Sequence, residues 1–297
     1  MASKVQQLSE HIFYVPGGVN TVILQRDRDA IFFDTGGDKN SGRELKKAVQ
    51  HLGLQPRAII NSHSHADHYG GNQFLLNAFD IPVYAPELEA SIMRQPYLEP
   101  VYLFNGAAPP SELLNKWLLA KPSPVDSYLQ AGAQDIEGFP IEIIDTSGHS
   151  HQQISAIYDG VLLAADALFG TATLERYPLP FGQNIGGQMA SAEKLRGIEV
   201  AQCLPGHGEA TGRLEALIHA NLQAFERAAQ AVLNAVEGNS TEAVLQKSCS
   251  SLGITMNDMS RYYLNQCVVQ AYLSHLKAKN MLYCELQENE LRWYRHN

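Results

Sequence analysis

Ala58-Ile59-Ile60-Asn61-Ser62-His63-Ser64-His65-Ala66-Asp67-His68, continuing as Tyr69-Gly70-Gly71-Asn72, decides how the rest of the chain reads. Residues 58–60 are a short apolar run with the character of a buried strand. That run empties directly into four side chains of metal-ligand type within six residues. Neutral imidazole and carboxylate suit zinc, iron or manganese. Residues two apart in an extended or turning segment can converge on one ion, which pairs His63 with His65. The adjacent Asp67 and His68 then point to a second ion.

The same device recurs downstream. Residues 141–144 read as a strand leading into Asp145-Thr146-Ser147-Gly148-His149. Residues 154–158 and 161–165 read as strands joined at Asp159-Gly160, a strong hairpin turn, and the second of them ends at Asp166. Residues 201–204 run into Pro205-Gly206-His207-Gly208. Strand ends that deliver His or Asp side chains are typical of sites built on rigid scaffolds. Upstream, residues 11–15, 21–24 and 30–33 read as strands, the last closed by Asp34-Thr35-Gly36-Gly37. Residues 42–52 carry Leu45, Ala48, Val49 and Leu52 at helical spacing up to Gly53. A helix over 72–79 and a strand over 83–85 follow, and another helix is expected over 189–198.

Two stretches break this rhythm. Residues 95–126 hold six prolines and the aromatics Tyr97, Tyr102, Phe104 and Trp117; such an insertion is either a lid or binding loop or a packed surface excursion. From residue 213, Leu214, Leu217, Ile218, Leu222, Phe225, Val232, Leu233 and Val236 form one helical apolar stripe. That stripe is suited to a homodimer contact or to docking within the chain. A helix capped by Ser240 or Thr241, a helix over 261–279 and a terminal hairpin over 281–294 complete the tail. The expected division is a catalytic domain over 1–212 and a helical domain over 213–297.

With 297 residues, 45% hydrophobic and 18% charged, the chain needs no disulfide staples. Its four cysteines have no close pairing, which favours reduced thiols and a cytoplasmic setting. The first fifteen residues lack an apolar stretch long enough for a signal peptide. No run of eighteen apolar residues predicts a membrane span. A net charge of −9 repels phosphate backbones, making a small molecule the expected substrate and nucleic acid a disfavoured one.

The succession H-x-H-x-D-H, Gly70-Gly71-Asn72, Thr146-x-Gly148-His149, Asp166 and Gly206-His207-Gly208 spans roughly residues 10–210. In that order it resembles the signature of the metallo-β-lactamase-fold hydrolases. The resemblance implies an α/β (α+β) fold, a four-layer αββα sandwich with metals between the sheet edges, carrying a small helical, winged-helix-like C-terminal domain. It implies His63, His65 and His149 on one metal, Asp67, His68 and His207 on the other, and Asp166 bridging two divalent ions, zinc first, with iron or manganese as alternatives. Two such ions about 3.5–4 Å apart can share one hydroxide nucleophile, with Asp67 as the implied proton carrier. Family members place a carboxylate beneath the H-x-H loop at the position of Asp34, where it would accept an imidazole N–H; a plain turn or helix-cap aspartate is the alternative.

The connection over 169–187 would border the site. Tyr177 and Phe181 would wall an apolar substrate, Arg176 would meet an anion and His151 would line the mouth, although ordinary packing or solvation accounts for each equally well. The true β-lactamases of the fold often use cysteine in the second site; Asp166 with Asp67-His68 looks glyoxalase-type or lactonase-type. Hydrolysis of a carboxylic ester, thioester or lactone is therefore the leading expectation. The alternatives are a phosphodiesterase or ribonuclease on the same site, a mononuclear-iron persulfide dioxygenase, and a retired scaffold that binds a partner. About forty residues separate Asp166 from His207, too few for the large insertion of the nucleic-acid-cleaving branch.

Overall fold

Residues Asp29–Phe33 alternate between two apolar environments: Ile31 and Phe33 face one core, Ala30 and Phe32 another. That period of two, repeated strand by strand, produces a layered architecture. The computed structural model describes residues 5–296.

The first sheet is ordered β1 (Gln6–Gln7), β2 (Ile12–Val15), β3 (Thr21–Arg26), β4 (Asp29–Phe33), β5 (Gln55–Ile60), β6 (Val83–Ala85) and β7 (Ser127–Tyr128). Pairing is antiparallel up to β4 and parallel from β4 to β7. The second sheet comprises β8 (Gly132–Ile136), β9 (Phe139–Asp145), β10 (Ile154–Tyr158), β11 (Val161–Ala165) and β12 (Gln202–Pro205), in the order β12-β11-β10-β9-β8, with only β11 and β12 parallel. Ile31, Phe33, Ala58 and Ile60 meet Ile141, Ile143, Ala156, Leu163 and Leu204 between the sheets.

Helices cover both outer faces. On the first sheet lie α1 (Lys39–Leu52), the short α2 (Ala66–Tyr69) and α3 (Asn72–Leu76), and α4 (Glu87–Arg94); α5 (Leu98–Leu103) lies in the proline-rich insertion. After β11 come α6 (Thr171–Arg176), α7 (Ile185–Lys194) and α8 (Leu214–Ala235). The outer face of the second sheet is covered by Ala192 of α7 and by Leu214, Leu217, Ile218 and Leu222 of α8, packed on Leu162, Ala164 and Cys203. The expected αββα sandwich is thus formed.

Several elements depart from the expectation. Helix α1 begins at Lys39 rather than 42, because the Asp38 side chain accepts from Asn40 N and Ser41 N. Helix α7 occupies Ile185–Lys194 rather than 189–198; Asn184 caps it, and the Gly186-Gly187 pair obscures that start in the sequence. Helix α3 stops at Leu76, and α4, α6 and β8 carry too few residues to show a period.

The apolar stripe on α8 is used inside the chain. Its first half belongs to the sandwich, while Ala228, Val232, Leu233 and Ala235 pack against α9 (Thr241–Ser251), α10 (Met259–Ala278) and the terminal hairpin. That hairpin, β14 (Leu282–Gln287) and β15 (Glu290–Arg295), pairs with β13 (Asn239–Ser240) as a small antiparallel sheet. A boundary at residue 212 falls just ahead of this shared helix. The insertion over 95–126 is packed as well: Leu103, Leu113 and Leu118 meet Tyr263, Leu264 and Cys267 of α10. Asn115 Nδ2 donates to Ser260 Oγ at 2.8 Å, and the Phe104 and Tyr263 rings lie 5.1 Å apart, edge to face.

Candidate metal centre

Strand β5 stops at Ile60, and the chain then folds tightly enough to bury His63, His65 and His68. The loop after β4 supports this turn from below. Asp34, held at φ 56°, accepts from Ser62 N at 2.8 Å, Ser62 Oγ at 2.7 Å and His68 Nδ1 at 2.8 Å. The two loops approach so closely that a Cβ on Gly70 would lie 2.3 Å from Gly37 O, and one on Gly71 2.3 Å from Thr35 O. Across the sandwich, β11 shifts register and Ala165 adopts φ 46°, an uncommon conformation that turns Asp166 inward. A Cβ at Gly206 would lie 2.1 Å from Asp166 Oδ1, so glycine there leaves room for the carboxylate.

The seven side chains fall into three overlapping groups, each with its donor atoms within 4.8 Å of one another: His63, His65 and His149; His63, His68 and Asp166; Asp67, His68 and His207. His65 Nδ1 stands 3.0 Å from His63 Nε2 and 2.8 Å from His149 Nε2. Asp166 places Oδ1 at 3.4 Å from His68 Nε2 and Oδ2 at 3.3 Å from both His149 Nε2 and His207 Nε2. Asp67 Oδ2 is 3.5 Å from His207 Nε2.

Four of the five ring nitrogens that point away are held; the fifth, His65 Nε2, is buried without a hydrogen-bond partner. His149 Nδ1 donates to Phe181 O at 3.1 Å and His207 Nδ1 to Gly18 O at 2.6 Å. A carbonyl can only accept, so a neutral ring in either position turns a lone pair inward from Nε2. Ser62 Oγ meets His63 Nδ1 at 2.9 Å, and Asp34 receives His68. Meanwhile His68 Nε2 and Asp166 Oδ1 are buried and find no hydrogen-bond partner. Converging imidazole lone pairs and an unsatisfied carboxylate oxygen are costly in a dry interior unless a cation sits among them. The donor set fits divalent metal.

Electrostatics divides the cluster. Burial, then the neighbouring imidazoles, hold His63 well below the ordinary histidine range. Burial foremost lowers His65 to about 4 and His149 to about 3, so these rings are neutral at neutral pH. Burial would also lower His207, but Asp166, hydrogen-bonded to it, and Asp67 outweigh that and push it up to about 9. His68 is likewise raised well above its usual value, Asp166 and Asp34 overriding burial. Burial would raise Asp166, but His207, His68 and His149 hold it well below the carboxylate range.

Of the expected substrate contacts, Phe181 lies at the cluster, its ring centroid 5.3 Å from His65 and 5.4 Å from His149. Arg176 and Tyr177 are exposed and pair with each other, the guanidinium 5.3 Å from the ring centre. His151 is exposed, and no ring contact or hydrogen bond among the described residues joins it, Arg176 or Tyr177 to the imidazoles. Sequence reasoning missed two acids. Glu89 is fully buried and takes four hydrogen bonds from the loops on either side of it. Glu99 is 4% exposed, and burial with the charges of Asp67 and Glu89 holds it well above the usual carboxyl range. One turn along, the Tyr102 hydroxyl accepts from Gln183 Nε2 at 3.1 Å, and Gln183 N donates to Gly148 O. The insertion therefore reaches the loop that carries His149.

The chain is similar to several known proteins. A probable metallo-hydrolase of Streptococcus pyogenes is 28% identical over 180 residues, 60% of this chain and 71% of that protein. A hydroxyacylglutathione hydrolase of Alkalilimnicola ehrlichii is 29% identical over 133 residues, 44% of this chain and 41% of its own. A solved metallo-beta-lactamase family protein from Thermus thermophilus has the same fold, with a TM-score of 0.76 at 18% identity, covering 98% of this chain and all of that one. The model of the Metallo-beta-lactamase superfamily matches residues 14–207, a span that begins within β2 and ends on the last of the seven metal-type side chains. By that match, the chain belongs to the metallo-beta-lactamase superfamily of metallo-hydrolases.

Proposed function

We propose that the chain hydrolyses a carboxylic ester, thioester or lactone using two divalent ions, zinc in the first instance. The observation that carries this reading is the position of Asp166, with one oxygen toward His68 and the other toward His149 and His207. In this reading His63, His65 and His149 hold one ion, Asp67, His68 and His207 the other, and Asp166 serves both. Ions so held supply an activated water at neutral pH and polarise the substrate's carbonyl oxygen. Asp67, 37% exposed, is placed to carry a proton to the departing group. Phe181 shields the His65 and His149 rings from water on one side. Asp34 keeps His68 in one tautomer.

The acyl substrate class is in line with the hydroxyacylglutathione hydrolase among the relatives. The net charge of −9 supports a small molecule over nucleic acid, and four free thiols support a cytoplasmic setting. No helix among the described residues is long and apolar enough to cross a membrane. The tail beyond residue 212 is in this reading a helical domain that shares α8 with the sandwich. The test is metal analysis alongside a panel of thioester, lactone, ester and phosphodiester substrates. Two ions per chain with acyl turnover is the expected result. A single iron with oxygen consumption, or turnover of phosphodiesters alone, would overturn it.

A further inference from the structure

Helix α4 gives no side chain to the first triad, His63, His65 and His149, or to the second, Asp67, His68 and His207, yet its Glu89 lies at the junction of the two loops that make up the first. Glu89 Oε2 accepts from Ser64 N at 2.9 Å and from Ser64 Oγ; Oε1 accepts from Ser150 Oγ at 2.6 Å and Gln152 N at 2.8 Å. Ser64 stands between His63 and His65, and Ser150 directly follows His149. In return, the Gln152 side chain accepts from Leu88 N at 2.7 Å, satisfying one of the orphan donors in the first turn of α4.

We propose that Glu89 is the positioning residue of the first triad, fixing the separation and orientation of the His63–His65 loop relative to the His149 loop. This rests on the reading of that triad as a metal site. The chemistry of the donors requires a carboxylate. Each Glu89 oxygen faces a backbone N–H, which can never act as acceptor, so both ends of the side chain must accept. A glutamine keeps the shape but must turn its own N–H₂ against Ser64 N or Gln152 N, leaving a buried donor unpaired and pushing one loop away. The effect is one-sided. His68 and His207 are held by different groups, Asp34 and the Gly18 carbonyl, and Asp166 by the turn after β11.

The test is titration of the metal-free protein with zinc against a chromophoric chelator, for the wild type, Glu89→Gln and Asp34→Asn, with circular dichroism read in parallel. The same titration in a His207→Ala background isolates the first triad. Loss of an outer hydrogen-bonding partner typically weakens metal binding about 10–100-fold. Glu89→Gln is expected to weaken the first-triad constant by that factor and leave the second within about twofold, whereas Asp34→Asn weakens the second through His68 and also reaches the first through Ser62. Equal constants in wild type and Glu89→Gln, or equal loss at both triads, would overturn the proposal. Should Glu89→Gln fail to fold, Ser150→Ala and Ser64→Ala each remove one of the four bonds; unchanged first-triad constants in both would overturn it equally. If the wild type itself takes up no metal, the hydrolase reading fails; if it binds two ions and Glu89→Gln binds both with wild-type constants, only the positioning role fails.

Discussion

His65 and His149, lowered to about 4 and about 3, and His207, raised to about 9, differ in what they must do to ligate an ion. A ligating imidazole must be unprotonated. The first two are unprotonated at pH 7 and release nothing, whereas His207 is protonated there and must give up its proton. His68, also raised well above its usual value, must do the same, so zinc uptake at the second triad should release protons at pH 7, and its affinity should rise with pH by about tenfold per unit or more. The first triad should show neither effect above about pH 5. Calorimetry in buffers of differing ionisation enthalpy measures the difference; equal proton release at both triads would refute it. At the same scale, His65→Ala or Asp166→Ala should abolish turnover and lower metal content while far-ultraviolet dichroism stays unchanged. Full metal and full turnover in either variant would show that these residues are not ligands.

The elements explain why some of this was legible in the sequence and some was not. The seven metal-type residues could be read because each follows a strand whose apolar run is itself recognisable, such as Ile59-Ile60 before His63 or Val161–Ala165 before Asp166. Glu89 could not be read, because its partners are serine hydroxyls and backbone N–H groups 25 to 63 positions away, and an acid in the first turn of a helix is ordinary. The loop after β12 shows a constraint of the same hidden kind. Gly206 is fixed by proximity to Asp166 Oδ1, which no local pattern announces. Gly206→Ala should displace that carboxylate and cost at least about tenfold in metal affinity, with the strands intact. Equilibrium dialysis checks this, and wild-type affinity would contradict the close approach.

For the whole molecule, α8 decides how the chain unfolds. One half lies on the second sheet and the other in the C-terminal cluster, with the fully buried Phe225 between them. Phe225→Ala should cost about 3–5 kcal/mol, read as a lower urea midpoint at constant slope. Trp293 is 8% exposed in the C-terminal cluster and Trp117 is 66% exposed, so tryptophan fluorescence reports mainly on the tail. Its transition should coincide with that of metal release from the sandwich; two separated transitions would show that α8 does not couple them. The insertion over 95–126 was recognisable from its prolines as an interruption, but its anchors lie far along the chain, Ser260 145 residues beyond Asn115 and Tyr263 159 beyond Phe104. Those anchors make the two stretches a matched pair. A chimera that imports the tail of a relative must import that relative's insertion with it, or the wall beside His149 loses its footing and the active site inherits the mismatch.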